Sequence, residues 1–281
     1  MAVTTGGTDP MTLAAMPSAQ SRIDVLLVER GLVPSRSKAQ RLLKDGSVRV
    51  DGVVVRKPSV QVDASADIVV DKGDDYVSRG AYKLVGAFER FRDDGLPEPA
   101  DMRCLDIGAS TGGFTEVLLR RGAGQVIALD VGHGQLDPRI ANDARVVEMS
   151  GVNIRDVESD DLPFRPQMIV SDVSFISLTY VMPVIARIGQ PGAHVVLLVK
   201  PQFEMGDRAS LGRNGVVDDP AARRAALDRV MRCAKECGLR VLATADSPIA
   251  GTHGNHEYLL YAVLCDPAAG VATVASDQHQ A

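Results

Sequence analysis

From residue 103 onward the chain alternates two patterns. Short apolar runs recur near 103–107, 125–130, 145–148, 167–172, 194–199, 239–245 and 257–264. Stretches of helical period lie between them, most clearly at 114–121, 177–187 and 220–237. Such alternation predicts a mostly parallel sheet with helices on both faces. No helix fits between the last two runs, so they are expected to close the sheet as an antiparallel hairpin. Upstream the pattern changes. Ser21 to Arg30 reads as a helix with Ile23, Leu26 and Leu27 inward and Gly31 as its stop. Ser35 is placed to cap a second helix, Arg36 to Lys44, which buries Ala39, Leu42 and Leu43 and stops at Gly46. Val48–Val50, Asp51-Gly52 and Val53–Val55 spell a tight hairpin, and Val60 to Asp71 adds further strands. Ser78 to Phe91 predicts an amphipathic helix.

These elements divide the chain into a small α+β domain over 21–74, a polar linker over 75–78 (the connector begins at Asp74) and a Rossmann-like α/β domain over 79–267. The segments 1–20 and 268–281 read as disordered tails, and Met11 or Met16 offers an alternative start. The net charge of −5 argues weakly against nucleic acid, but its distribution reverses that argument. Between Arg22 and Lys57 nine Lys/Arg face four acids, so this segment carries +5 and the remainder −10. Ser37, Arg41 and Lys44 share one face of the second helix, with Lys38 beside them. Trp is absent and aromatics are 4%, so RNA contact is expected through charge and shape rather than broad stacking surfaces. The four cysteines have neither metal-ligand nor disulfide spacing, which suits a reducing cytoplasm. No apolar run reaches the roughly 18 residues of a membrane span, and no secretion signal opens the chain.

The chemistry concentrates at predicted strand ends. Cys104 to Thr115 runs strand, glycine-rich turn, helix, with Asp106 before Gly108 and then Ser110, Thr111, Gly112, Gly113 and Phe114. Glycines there let a ligand approach the backbone at the carboxyl edge of a sheet. The dinucleotide pattern G-x-G-x-x-G is not met. An acid ahead of the turn suits a cofactor bearing an amino group, S-adenosyl-L-methionine, rather than a pyrophosphate. Asp130 ends the next strand, where a carboxylate can accept ribose hydroxyls. Asn153, after the third strand, is placed to touch an adenine or simply to shape a loop. Asp172 and Lys200 end the fourth and fifth strands, Lys83 lies on the upstream helix and Glu257 opens the last strand. Glu204 competes for the fourth place. The segment from Gly206 to Asp218 reads as a mobile loop, either able to close over substrate or a passive connection.

The basic segment, with its Ser-Arg helix start and G-x-V-x-V-x-G hairpin, resembles the S-four-like RNA-binding domain. The motifs RGAYKL, DIGASTGGFTEVLL, DVGHGQL, SDVSFISL, LVKPQFE and NHEYLL, in this order behind that module, resemble the TlyA family. Its catalytic domain is similar to the FtsJ-type ribose 2′-O-methyltransferases. The resemblance implies a Lys83-Asp172-Lys200-Glu257 tetrad, with Lys200 acting on the 2′-hydroxyl. It implies S-adenosyl-L-methionine held by Asp106, the 108–114 turn, Asp130, Asn153 and Asp172. It implies RNA contacts from Arg22, Arg36, Ser37, Lys38, Arg41, Lys44 and Arg79, and no metal. The expected substrate is ribosomal RNA in its subunits, at cytidines of 16S and/or 23S rRNA, acted on by a cytoplasmic monomer. The family often carries the label haemolysin. A lytic role finds no span, signal or long basic amphipathic helix, and a non-catalytic RNA-binding assembly role would not need a second lysine–carboxylate pair.

Overall fold

The computed structural model describes residues 20–33, 35–71, 76–205, 212, 215–251 and 254–266. The expected tails (save Gln20), the possible starts at Met11 and Met16, Asp74 and Asp75 of the connector, most of the Gly206–Asp218 loop and the side chain of Arg41 lie outside the described residues. The chain divides into two compact units, 1–75 and 76–281.

In the first unit, β1 (Gln20–Arg22) pairs antiparallel with β4 (Gln61–Asp63), while β2 (Val48–Val50) lies between β3 (Val53–Val54) and β5 (Ile68–Val70). Helices α1 (Ile23–Glu29) and α2 (Arg36–Asp45) bury Ile23, Leu26, Leu27, Ala39, Leu42 and Leu43 against Val48 and Val50. The local signals act as expected. The Ser35 hydroxyl accepts the Lys38 N–H at 3.3 Å, and Gly46 ends α2 at φ +80°. Asp51 and Gly52 take φ +48° and +80°, the twist a two-residue hairpin needs. The first helix, expected from Ser21, begins at Ile23 instead. Ser21 and Arg22 are drawn into the ladder with Val62 and Gln61, a long-range pairing that no local pattern encodes.

Asp24, with no exposed surface, anchors this unit. It accepts two bonds from Arg22 (3.0 and 3.1 Å), one from Arg36 (2.9 Å) and one from Gln40 (3.2 Å). The Arg22 guanidinium holds its carboxyl well below the usual range despite burial, with Arg36 and Gln40 assisting. Two of the arginines expected to meet RNA thus also clamp a buried acid, whereas Ser37 and Lys44 are exposed and Lys38 is half-buried.

The second unit is a three-layer α/β/α structure. Its strands are β6 (Arg103–Ile107), β7 (Gln125–Asp130), β8 (Val146–Ser150), β9 (Met168–Ser171), β10 (His194–Val199), β11 (Leu239–Asp246) and β12 (Tyr258–Leu264). They stand in the order β11-β12-β10-β9-β6-β7-β8. All neighbours are parallel except β12, which is antiparallel to both β10 and β11. Side-chain alternation decides the two faces. Leu105, Ile107, Ile169 and Leu197 face α6 (Leu178–Ile188) and α8 (Pro220–Glu236). Cys104, Val126, Met168 and Val196 face α3 (Ala81–Arg90) and α4 (Gly113–Arg120). The four-residue helices α5 (Pro138–Ala141) and α7 (Pro201–Glu204) lie in the gaps between strands but were not placed individually, being too short for a periodic signal. Helix α3 starts at Ala81 rather than Ser78, because residues 78–80 form a turn. The chain runs β6-β7-β8 to one side and returns through β9 to the other. That leaves a crevice beyond the carboxyl ends of β6 and β9, the place where open α/β sheets bind ligands. Among the described residues no helix is long and apolar enough to cross a membrane.

Candidate active site

A cavity of about 840 Å³ opens at that crevice. Gly108, Ser110, Asp130, Asn153 and Asp172 line it, five of the residues expected to hold a cofactor. Gly108, at φ +84°, is where the chain leaves β6. A Cβ there would lie 3.1 Å from Val173 and 3.2 Å from the Asp172 carbonyl, so the two strand ends approach only because this position has no side chain. The Asp130 carboxylate accepts the N–H of Ser110 and of Gly132, both at 2.8 Å, fixing the turn against the end of β7. Asn153 uses its Oδ1 on the Arg155 N–H at 3.2 Å and still borders the cavity.

Five other expected cofactor residues are not on the wall. Asp106 is fully buried on the α4 face of β6, where its Oδ2 accepts the Thr115 hydroxyl at 2.7 Å. The position predicted to pair with a cofactor amino group therefore supports the turn from beneath, because alternation turns Asp106 away from Ile107, which does line the cavity. The Thr111 carbonyl accepts the Asp137 N–H at 3.2 Å. A Cβ on Gly112 would meet Leu136 and Ile140, and one on Gly113 would collide with the Ser78 hydroxyl, so these glycines permit packing. Phe114 is core.

Burial pushes the Asp106 carboxyl up to about 7, against the hydrogen bonds from Thr115 that favour its ionised form. From the ordinary value of 3.8 up to about 7, only the folded chain keeps this proton, so the contribution to stability falls as pH rises through that window and is level above it. Asp106→Asn removes the effect. The melting temperature of the variant relative to wild type should climb between pH 4 and 7 and then level off. Parallel curves measured by calorimetry across the range would show that Asp106 is ionised throughout.

The four residues expected to perform chemistry form one chain of ion pairs. Glu257 Oε2 lies 2.7 Å from Lys83 Nζ, Lys83 Nζ lies 3.5 Å from Asp172 Oδ2, and Asp172 Oδ1 lies 2.6 Å from Lys200 Nζ. Side-chain exposures of 2, 8, 20 and 9%, in the order Glu257, Lys83, Asp172, Lys200, make Asp172 the member most open to the cavity. Two cations and two carboxylates balance, which is how buried charges persist. A side chain on Gly251 would collide with the Glu257 carboxylate, so the loop closes over this acid only with glycine there. Arg79, expected to continue a basic path, donates instead to the Ala250 carbonyl in the same loop. Glu204 accepts the Ser177 hydroxyl at 2.6 Å and the Leu178 N–H at 2.9 Å, so the rival acid caps α6.

Several wall residues escaped the sequence reading. Ser174 accepts a hydrogen bond from Lys200 at 2.8 Å. Gln135 folds over Gly132 and faces the Ser110 hydroxyl at 3.3 Å. Phe175 is 85% exposed at φ +66°, its ring 5.2 Å from that of Phe203. Tyr180 and Arg229 complete that end. Only their place in the SDVSFISL and LVKPQFE motifs could have drawn attention to Ser174, Phe175 and Phe203. The aromatic group is local, not the broad surface that composition argued against.

Residues 76–263 match the FtsJ-like methyltransferase family and residues 21–68 the S4 domain family. The 16S/23S rRNA (cytidine-2′-O)-methyltransferase TlyA of Mycobacterium tuberculosis is 45% identical over 86% of this chain and 89% of its own. Hemolysin A of Brachyspira hyodysenteriae is 39% identical over 86% of this chain and 100% of its own. A solved structure from Streptococcus thermophilus that also bears the haemolysin name superposes with a TM-score of 0.69 at 38% identity, covering 89% of this chain and 90% of that one. A glycine turn on a doubly wound sheet, a lysine–carboxylate chain at its edge and these likenesses over nearly the whole length agree: the chain is a methyltransferase and belongs to the TlyA family, an FtsJ-like catalytic domain behind an S4 domain.

Proposed function

We propose that the protein transfers a methyl group from S-adenosyl-L-methionine to a ribose 2′-hydroxyl of ribosomal RNA, at cytidines of one or both subunits, in the cytoplasm where ribosomes mature. The observation that carries this reading is the Glu257–Lys83–Asp172–Lys200 ion-pair chain at the edge of a cavity whose other end is a nucleoside-type cradle. The cradle fits the cofactor. Its glycine turn admits close approach, the Asp130 carboxylate borders the space for ribose hydroxyls, and Asn153 and the apolar Val131 and Ile154 border that for a base. When bound there, the cofactor supplies an electrophilic methyl group.

The remaining chemistry belongs to the chain. In-line transfer demands that the nucleophile be held in place and lose its proton. Lys200, fixed by Asp172, takes up the proton of the 2′-hydroxyl. Lys83, held between Asp172 and Glu257, keeps Asp172 in position and adds positive potential where the RNA phosphate must approach. Phe175 offers an open face at the cavity mouth on which the target base can stack, with the exposed Arg155 and Arg229 beside the opening for the backbone. These groups would give RNA a local approach on a body whose remaining charge is negative.

The reading is tested by labelled methyl transfer to purified, unmethylated 30S and 50S subunits. Label in alkali-resistant dinucleotides establishes ribose methylation and identifies the subunit; cofactor binding without incorporation into either rules out this substrate. Phe175→Ala is expected to raise KM for RNA about tenfold, the stacking of one base being worth roughly 1–3 kcal/mol, with cofactor affinity unchanged. An unchanged KM in steady-state assays would place the base elsewhere.

A further inference from the structure

Lys200 does not itself border the cavity. Its side chain is 9% exposed, and its ammonium reaches two residues that do border it, Asp172 at 2.6 Å and Ser174 at 2.8 Å. Asp172 is shared with Lys83 and, as a carboxylate, offers no hydrogen to pass on. Ser174 differs. Its hydroxyl both donates and accepts, it is exposed, and it holds the Lys200 ammonium. At rest the ammonium donates to Oγ, and once Lys200 has released a proton to solvent the same contact lets Oγ–H donate to the free amine.

We propose, resting on the ribose-methylation reading above, that Ser174 is a catalytic residue that carries the proton from the substrate hydroxyl to Lys200. In the step, the O2′–H bond breaks and its proton passes to Ser174 Oγ, while the Ser174 hydroxyl proton passes to Lys200 Nζ. The O2′ electron pair forms the new bond to the methyl carbon, and the carbon–sulfur pair leaves with sulfur. Ser174 ends as it began, Lys200 ends as an ammonium, and no further reactant is needed. The arrangement explains why a buried lysine serves a reaction in the cavity. Asp172 steadies the ammonium that forms, and the serine reaches the substrate.

The test compares Ser174→Ala, Ser174→Thr and Lys200→Ala in the full chain, on unmethylated ribosomal subunits in single-turnover mode. Ser174→Ala is expected to slow methyl transfer by roughly 10²-fold, the scale of a positioned proton-transfer group. Its affinity for S-adenosyl-L-methionine by calorimetry and its melting temperature should stay at wild-type values, and Ser174→Thr should recover the rate to within about threefold. The wild-type rate should fall in heavy water with a curved dependence on deuterium fraction, two protons being in flight, and Ser174→Ala should give a straight line. If Ser174→Ala works at the wild-type rate while Lys200→Ala is dead, the relay is wrong and the ribose reading stands. Full activity of Lys200→Ala overturns the relay and the role of Lys200 together, while label in alkali-resistant dinucleotides decides the ribose reading separately. A slow Ser174→Ala that also loses cofactor affinity or thermal stability, or that Ser174→Thr does not rescue, shows a merely structural serine and overturns the relay.

Discussion

Lys200→Ala is expected to abolish most methyl transfer, lowering the single-turnover rate by about 10²–10⁴-fold, while leaving S-adenosyl-L-methionine affinity nearly intact. The asymmetry follows from the site. Lys200 follows β10 and binds Asp172 and Ser174; of the five expected cofactor residues on the wall it touches Asp172, while Gly108, Ser110, Asp130 and Asn153, which form most of the cradle, belong to other segments. Removing the ammonium also leaves Asp172 with Lys83 as its remaining ion-pair partner, at 3.5 Å, but Asp172 is the most open of the four and water can replace the loss. The melting temperature should therefore change little. Calorimetric titration and a melting curve on the variant decide the matter. A large loss of cofactor affinity would mean that Lys200 builds the cradle rather than acting on the substrate.

Lys83→Met should behave in the opposite way and destabilise the fold. Glu257 is 2% exposed, and the Lys83 ammonium at 2.7 Å is its ion-pair partner. Taking one partner from a buried pair strands the other charge, a loss of about 3–5 kcal/mol. In a unit of this size that lowers the melting temperature by about 10 °C. Adding Glu257→Gln should restore much of it, because the stranded charge is then gone. Activity should fall in the single variant and remain low in the double one, since neither returns the positive potential beside Asp172. Equal melting temperatures for wild type and Lys83→Met would show that Glu257 finds another partner when Lys83 is absent.

How legible the protein was in its sequence depended on the range of the interaction. The seven-stranded sheet, its antiparallel ending, the Ser35 cap and the Asp51-Gly52 hairpin were all readable, because each follows from a few consecutive residues. The start of α1 was misplaced because Arg22 answers to Gln61, not to its neighbours. At the site, Asp130, Asp172 and Lys200 could be named from their places at strand ends, where open sheets present ligands. The glycine turn was read as a turn, and the structure leaves Gly112 and Gly113 off the cavity wall. Gly112 and Gly113 have no side chain because Leu136, Ile140 and Ser78 pack there, and nothing in the motif separates that reason from contact with a ligand.

The sequence by itself determined the order of elements, the glycine turn and the residue types waiting at the strand ends, since periodicity and turn chemistry are local and additive along the chain. Only the tertiary structure decided which of them meet. The insertion of antiparallel β12 between β10 and β11 brings Glu257, ahead of β12, to Lys83, near the start of α3, in one buried pair. Strand alternation sends Asp106 beneath the turn and Ile107 to the wall. The turn after β9 sets Ser174 between Lys200 and the cavity and leaves Phe175 open at its mouth. Each of these depends on where a side chain points once the layers have packed, and that direction is set by neighbours distant in the chain.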